Sequence, residues 1–244
     1  ARLAAATAAS AWPGLGQAAA RRTVSLPGGA AVSSRGPGAG ALSAALRAAA
    51  HRAADALDAA EGELTALDSR AGDGDLGISM ARGAAAIRAL PDDAWDTPAI
   101  ALAAMGNTLR RAIAGSSGPF YATALLRAAR HLDGPTPGAE DWAAAFADAV
   151  ASIGELGGAT PGDRTMLDAL APAAAALMED VQRGVPLAEA WRSAVVAAEQ
   201  GCAATVAMRP RLGRAAYLGD RALGAADAGA SAVVVWMRAL AGRG

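Results

Sequence analysis

LDSRAGDGDLG, residues 67 to 77, sets Asp68, Asp73 and Asp75 close together and punctuates them with Gly72, Gly74 and Gly77. On either side the chain is rich in alanine and leucine, with few β-branched or aromatic runs. The acidic turn therefore interrupts a helical protein rather than a sheet. Carboxylates this close repel one another unless positive charge lies between them. A solvated turn, an arginine or a bound metal ion each meets that need, and aspartates ahead of a helix also complement its dipole.

Working outward from this turn, the pattern is helical almost throughout from Ala41 onward. Helices are expected near 41–58, 60–67, 77–90, 97–114, 119–132, 139–156, 164–182, 187–207 and 229–241, which makes the fold all-α. Asp163 is expected to cap a helix beginning at Arg164, Pro119 to occupy a first helical position after Gly118, and Pro172 to kink the helix that contains it. Residues 208–228, MRPRLGRAAYLGDRALGAADA, hold four arginines and several glycines between apolar helices and read as a long loop of the functional kind. Residues 1–38, with SLPGGAAVSSRGPGAG and similar clusters, read as a linker ahead of a folded domain at 39–244.

Composition narrows the chemistry. The 244 residues suffice for one domain with a sizeable core plus a tail. Lysine and arginine total 22 against 23 acidic residues, which is no signature of nucleic-acid binding. Every basic residue is arginine, so a Walker-type phosphate loop, a protein-kinase site and Schiff-base chemistry are all excluded. Cys202 is the one cysteine, and His51 and His131 are the two histidines. A disulfide framework and an ordinary zinc site are thereby excluded, and the cysteine usage predicts a reduced, cytoplasmic protein. No apolar run is long enough to span a bilayer. The acid-free, arginine-bearing stretch before Asp55 also fits an organelle transit peptide, but a start on alanine favours a cut from a longer polypeptide.

Three glycine-punctuated loops carry candidate chemistry. In the first, carboxylate oxygens suit a hard cation such as Mg²⁺, which keeps waters for a phosphate partner. An EF-hand is excluded because no glutamate stands twelfth from Asp68 or Asp73. In the second, AGSSGPFYATALLRAAR at 114–130, Gly115, Ser116, Ser117 and Gly118 lead into a helix whose first N–H groups can bind an anion or simply be capped. The third, GGATPGDRTMLDAL at 157–170, reads as a loop followed by a helix. Together with the arginine-rich stretch, these are the parts of a metal–nucleotide site that works without lysine.

LDSRAGDGDLG, AGSSGPFYATALLRAA, PGDRTMLDALAP and MRPRLGRAAYLGDRALGAADAGASAVVV resemble, in order and spacing, the motifs of the nucleotide-binding (L) subunit or domain of dihydroxyacetone kinases. The resemblance covers about residues 41 to 242. It implies an eight-helix antiparallel barrel with an ATP or ADP site at one end. It also implies two Mg²⁺ ions held by Asp68, Asp73 and Asp75, with Leu76, Gly77, Ile78 and Ser79 along the nucleotide. By the same resemblance Ser116 and Ser117 contact phosphate, Gly157 and Met166 lie around the base, and Arg214 with Asp227, Ala228 and Gly229 form a closing loop. Two positions depart from the family pattern: Leu76 stands where His or Cys is usual, and Ala225 to Gly229 replace His-x-Asp-Pro-Gly.

The resemblance further implies a partner, the K-type substrate-binding domain or subunit, which holds dihydroxyacetone or a related short ketose through a histidine. AATAASAWPG, residues 5–14, resembles the close of that K domain in fused, ATP-dependent kinases. Nothing else in the chain matches the K part, so the expectation is a phosphoryl-donor half-enzyme with no catalytic residue beyond its metal ligands. A homodimer is compatible with this reading. Two alternatives are a phosphotransferase-system L subunit whose bound ADP is rephosphorylated in place, and a non-catalytic ADP-binding regulatory module.

Overall fold

The computed structural model describes residues 39–134 and 136–242, so the expected linker at 1–38 lies outside the described residues. Among the described residues there are nine α-helices and no strand. They are α1 (Ala39–Ala59), α2 (Glu61–Asp68), α3 (Leu76–Arg88), α4 (Pro98–Ala112), α5 (Ser117–Ala129), α6 (Ala139–Gly157), α7 (Leu167–Gln182), α8 (Leu187–Ala204) and α9 (Ala228–Ala241). Short 3-10 turns lie at Asp92–Trp95, Thr205–Ala207 and Arg214–Ala222.

The eight longer helices close into a ring. Each of α1, α3, α4, α5, α6, α7, α8 and α9 packs on the next in that order, and α9 returns to α1. Only α2, eight residues long, stands outside the ring, against α3, α9 and α1. The nine helical segments of the sequence thus become an eight-helix barrel with one short accessory helix.

Neighbours in the ring run antiparallel, as short connections require. Arg47 of α1 pairs with Asp92 beyond the end of α3 at 2.7 Å, while Arg88 of α3 pairs with Asp55 further along α1 at 3.0 Å. On the far side, Trp191 of α8 donates to Met237 O of α9 at 3.1 Å, and Cys202 meets Ser231 at 3.6 Å.

Alanine builds this ring because it allows helix backbones to approach closely. The core joins many buried alanines to Leu102, Met105, Ile153, Leu170, Leu177 and Met237. At Gly201 the approach of α8 to α7 is so close that a Cβ there would collide with Asp168 O. An apolar cavity of about 680 Å³ runs inside the ring, with Trp142, Phe146, Trp191 and Trp236 among its lining. No helix among the described residues is long and apolar enough to cross a membrane.

Three expected features differ. The helix expected from Arg164 begins at Leu167, because Arg164 takes a positive φ of 61° that breaks the helical path. Asp163 therefore does not cap it; its carboxylate accepts from Thr160 N and Oγ1 at 2.8 and 2.9 Å, while Asp168 accepts from Thr165 N at 2.8 Å. The stretch 208–228 is also not wholly irregular. Its centre winds into 3-10 turns over Arg214–Ala222, interrupted at Gly219. Pro119 is the third residue of α5 rather than the first, and α7 passes through Pro172 as one element.

Candidate functional site at one end of the barrel

Alternation around the ring brings the N-termini of α3, α5, α7 and α9 to the same end. A small core cluster ties the α3, α5 and α9 starts together. Leu64 of α2, Met80 of α3, Ala232 of α9 and Ile113 ahead of α5 are buried against one another, with Leu76 and Tyr121 packed around them. Met166, at the start of α7, faces Gly229 in the first turn of α9: a Cβ on Gly229 would lie 3.5 Å from Met166 Cβ. Gly157, at the end of α6, leaves room for the Phe120 ring of α5. Each helix start has N–H groups without intrahelical partners and carries the positive end of its dipole. Four such starts at one end form a surface suited to anions.

The three aspartates stand on this end. One oxygen from each of Asp68, Asp73 and Asp75 falls within 4.8 Å of the others, and Asp73 and Asp75 are exposed. An all-oxygen carboxylate set of this kind fits a hard divalent cation, so the residues present fit Mg²⁺. The turn that gathers them is built by Asp68, whose Oδ2 accepts Asp75 N–H at 3.0 Å and Leu76 N–H at 3.3 Å. Asp75 itself makes no side-chain cap bond to α3. Asp68 thus serves the N–H groups at the start of α3 and also belongs to the carboxylate set that fits a cation.

After the turn, Leu76 is half-buried, Gly77 and Ser79 are buried and Ile78 is exposed. Gly77 is where α3 passes closest to α2, since a Cβ there would strike Glu61 O and Thr65 Oγ1. Ser116 and Ser117 occupy the cap and first residue of α5. Beneath that start, burial pushes the Tyr121 hydroxyl up to about 12, which keeps it protonated.

The segment expected to close the site follows α8. Arg214 opens its 3-10 turns. Asp227 caps α9 by accepting Ala230 N–H at 2.8 Å, and its own N–H donates to Thr205 Oγ1 at 2.9 Å. Burial raises the Asp227 carboxyl to about 6, against a lowering pull from the Ala230 N–H and from Arg164. The hydrogen bonds from Thr160 hold Asp163 below its ordinary value. The structure thus brings the Asp68–Ser79, Ser116–Ser117, Gly157, Met166 and Asp227–Gly229 groups to one barrel end.

Sequence reasoning passed over Arg164, which is buried and donates to backbone carbonyls of the closing segment. Its role has no local signal, because the carbonyls it meets lie 41 to 61 residues away. Asp168 did have one: Thr165-x-x-Asp168 has capping-box spacing, and Asp168 accepts Thr165 N–H just ahead of α7. Both histidines have structural partners. His51 stacks edge-on to Trp95, and His131 Nε2 sits 2.9 Å from Asp148.

Comparison with known proteins agrees with this geometry. Residues 70–242 match the DAK2 domain family. The chain is 38% identical over 193 residues to a D-erythrulose kinase of Mycolicibacterium smegmatis, covering 77% of this chain and 33% of that protein. It is 34% identical over 180 residues to the ADP-binding subunit DhaL of the PEP-dependent dihydroxyacetone kinase of Escherichia coli, covering 73% of this chain and 86% of the subunit. The crystal structure of the dihydroxyacetone kinase from C. freundii in complex with AMP-PNP and Mg²⁺ superposes with a TM-score of 0.63 at 29% identity, over 81% of this chain and 33% of that one. The chain thus spans about a third of the erythrulose kinase and most of the DhaL subunit.

Proposed function

Because the chain belongs to the DAK2 domain family, we propose that it is the nucleotide-binding, phosphoryl-donor half of a kinase acting on dihydroxyacetone or a related short ketose. One observation carries this reading: three carboxylates within 4.8 Å of one another stand on the barrel end where four helix N-termini meet. The erythrulose kinase and DhaL relatives support the substrate class and the nucleotide.

In this reading Asp68, Asp73 and Asp75 hold two Mg²⁺ ions, which, when bound, neutralise the charge on the nucleotide phosphates. Ser116, Ser117 and the N–H groups at the start of α5 orient the phosphates. Leu76 to Ser79 lie along the nucleotide, Gly157 and Met166 flank the base, and Arg214 with Asp227 to Gly229 closes the site. Leu76 offers only apolar contact where a His or Cys would hydrogen-bond. The acceptor sugar comes from a K-type domain or subunit in the cytoplasm, since phosphoryl transfer depends on placing an acceptor in line with the donor.

Calorimetry of ADP with and without Mg²⁺ tests the site, and equal affinities overturn it. The chain with ATP, Mg²⁺ and dihydroxyacetone should yield no triose phosphate until a dihydroxyacetone-binding K domain is added. Turnover by the chain alone overturns the half-enzyme reading. A second reading, in which ADP stays bound and is rephosphorylated in place, draws support from the 86% coverage of the PEP-dependent subunit. Exchange of bound ADP with labelled ATP separates the two.

A further inference from the structure

Arg164 is 2% exposed and is the single described non-glycine residue with a positive φ, at 61°. A side chain at such a φ is uncommon, and it persists where the surroundings hold it. Here the guanidinium does the holding. Nε donates to Thr205 O at 3.2 Å, and Nη2 donates to Ala222 O at 2.7 Å and to Ala225 O at 2.9 Å. Thr205 directly follows α8, whereas Ala222 and Ala225 lie where the chain returns toward α9. One side chain therefore grips both ends of the excursion that carries the 3-10 turns.

Other bonds converge on the same neck. Gly224 N donates to Val206 O at 3.0 Å, and Arg211 N donates to Asp163 O at 3.2 Å. Thr205 Oγ1, which itself donates to Cys202 O, receives Asp227 N–H. Beneath Arg164 the turn is locked by Asp168, which accepts from Gly162 N and Thr165 N. The far part of the excursion is different in kind: Tyr217 is 93% exposed, and Arg209 meets Asp220 in an exposed ion pair at 2.7 Å. The excursion thus has a buried, cross-tied neck and a solvated tip, the construction of a compact surface loop with adjoining ends.

We propose that Arg164 is a positioning residue that staples the neck of the segment 205–225. The staple fixes the base on which the segment 205–225 is mounted and from which the chain enters the Asp227–Gly229 turn at the start of α9. Arg164 precedes Thr165 and Met166 directly, so it also couples the Met166 side of the site to the closing side. A planar guanidinium suits this task because its donors point in fixed, divergent directions and can meet several carbonyls at once. The consequence for binding rests on the nucleotide reading above, but the consequence for the loop does not.

The test compares the whole wild-type chain with Arg164→Gly and Arg164→Lys. Glycine adopts the positive φ freely, so it removes the staple without straining the turn, and lysine keeps a buried charge with three donors. Limited proteolysis without ligand should cut inside 206–224 at least fivefold faster in Arg164→Gly than in wild type. Calorimetry should show Mg-ADP bound at least tenfold more weakly. Arg164→Lys should restore most of both, and added ethylguanidinium should slow the cleavage of Arg164→Gly. An Arg164→Gly chain cleaved at the wild-type rate overturns the staple. Wild-type chain that fails to bind Mg-ADP overturns the nucleotide reading instead and leaves the cleavage comparison decisive for the staple. Should Arg164→Gly not fold, hydrogen exchange on wild-type protein decides: the Gly224 and Asp227 amides should exchange at least tenfold more slowly than those of 215–221, and equal rates overturn the proposal.

Discussion

Asp68 and Asp75 are joined by a hydrogen bond in which the Asp75 N–H donates to Asp68 Oδ2 at 3.0 Å, with Leu76 N–H on the same oxygen at 3.3 Å. A carboxylate offered as a metal ligand is therefore also the cap of α3. The two roles separate by substitution. Asp68→Asn keeps an acceptor oxygen for the two N–H groups but removes the negative charge that a cation needs, whereas Asp68→Ala removes both. Urea unfolding without nucleotide should show Asp68→Ala less stable by about 1 kcal/mol and Asp68→Asn by much less. Mg-ADP calorimetry should show both variants weakened. Equal stabilities for Asn and Ala would mean that the cap contributes nothing.

Gly77 fixes how closely α3 approaches α2, since any Cβ at that position meets Glu61 O and Thr65 Oγ1. Gly77→Ala forces the two helices apart and shifts the turn that positions Asp73 and Asp75. The urea midpoint should fall by an amount equivalent to about 1–3 kcal/mol, with an unchanged slope. An unchanged midpoint would show that the α2–α3 contact yields without cost.

Much of this fold is legible in the sequence, for local reasons. The helix expected near 97–114 forms as α4, and Thr97 at its cap accepts Ile100 N–H at 3.2 Å. The spacing of Asp68, Asp73 and Asp75 across two glycines is enough to bring their carboxylates together. What escapes sequence reading depends on tertiary partners. The ring of eight with α2 outside it follows from which helix packs on which, and periodicity carries no such information. The misplaced start of α7 has a different cause. Asp163 looks like the cap in sequence, but Arg164 turns inward to carbonyls far along the chain and α7 begins only at Leu167.

A ligand bound only by the folded state stabilises it by roughly 2.7 kcal/mol at about a hundred times its dissociation constant. For a domain of this size that corresponds to a melting temperature about 5–10 °C higher. Scanning calorimetry with saturating Mg-ADP should show such a rise, and Asp75→Ala should lose most of it while melting normally without ligand. A full shift retained by Asp75→Ala would remove Asp75 from the site.

Asp227 makes stability depend on pH in the direction opposite to an ordinary paired carboxylate. Burial raises its folded value from 3.8 to about 6, despite the Ala230 N–H and Arg164, while Asp168 adds repulsion. Between those values the folded chain keeps a proton that the unfolded chain has released, so stability falls as pH rises from about 4 to about 6 and is flat above. At about 1.4 kcal/mol per unit the upper bound is about 3 kcal/mol, reduced because Asp227 is only part-buried. Asp227→Asn keeps an acceptor for Ala230 N–H and cannot titrate. Its stability relative to wild type should therefore improve by about 1–3 kcal/mol between pH 4 and pH 7, measured by urea unfolding across the range. The slope is the diagnostic quantity, because the offset at any one pH also includes the charge that Arg164 loses beside it. A stability difference that stays constant with pH would place the Asp227 carboxyl at its ordinary value.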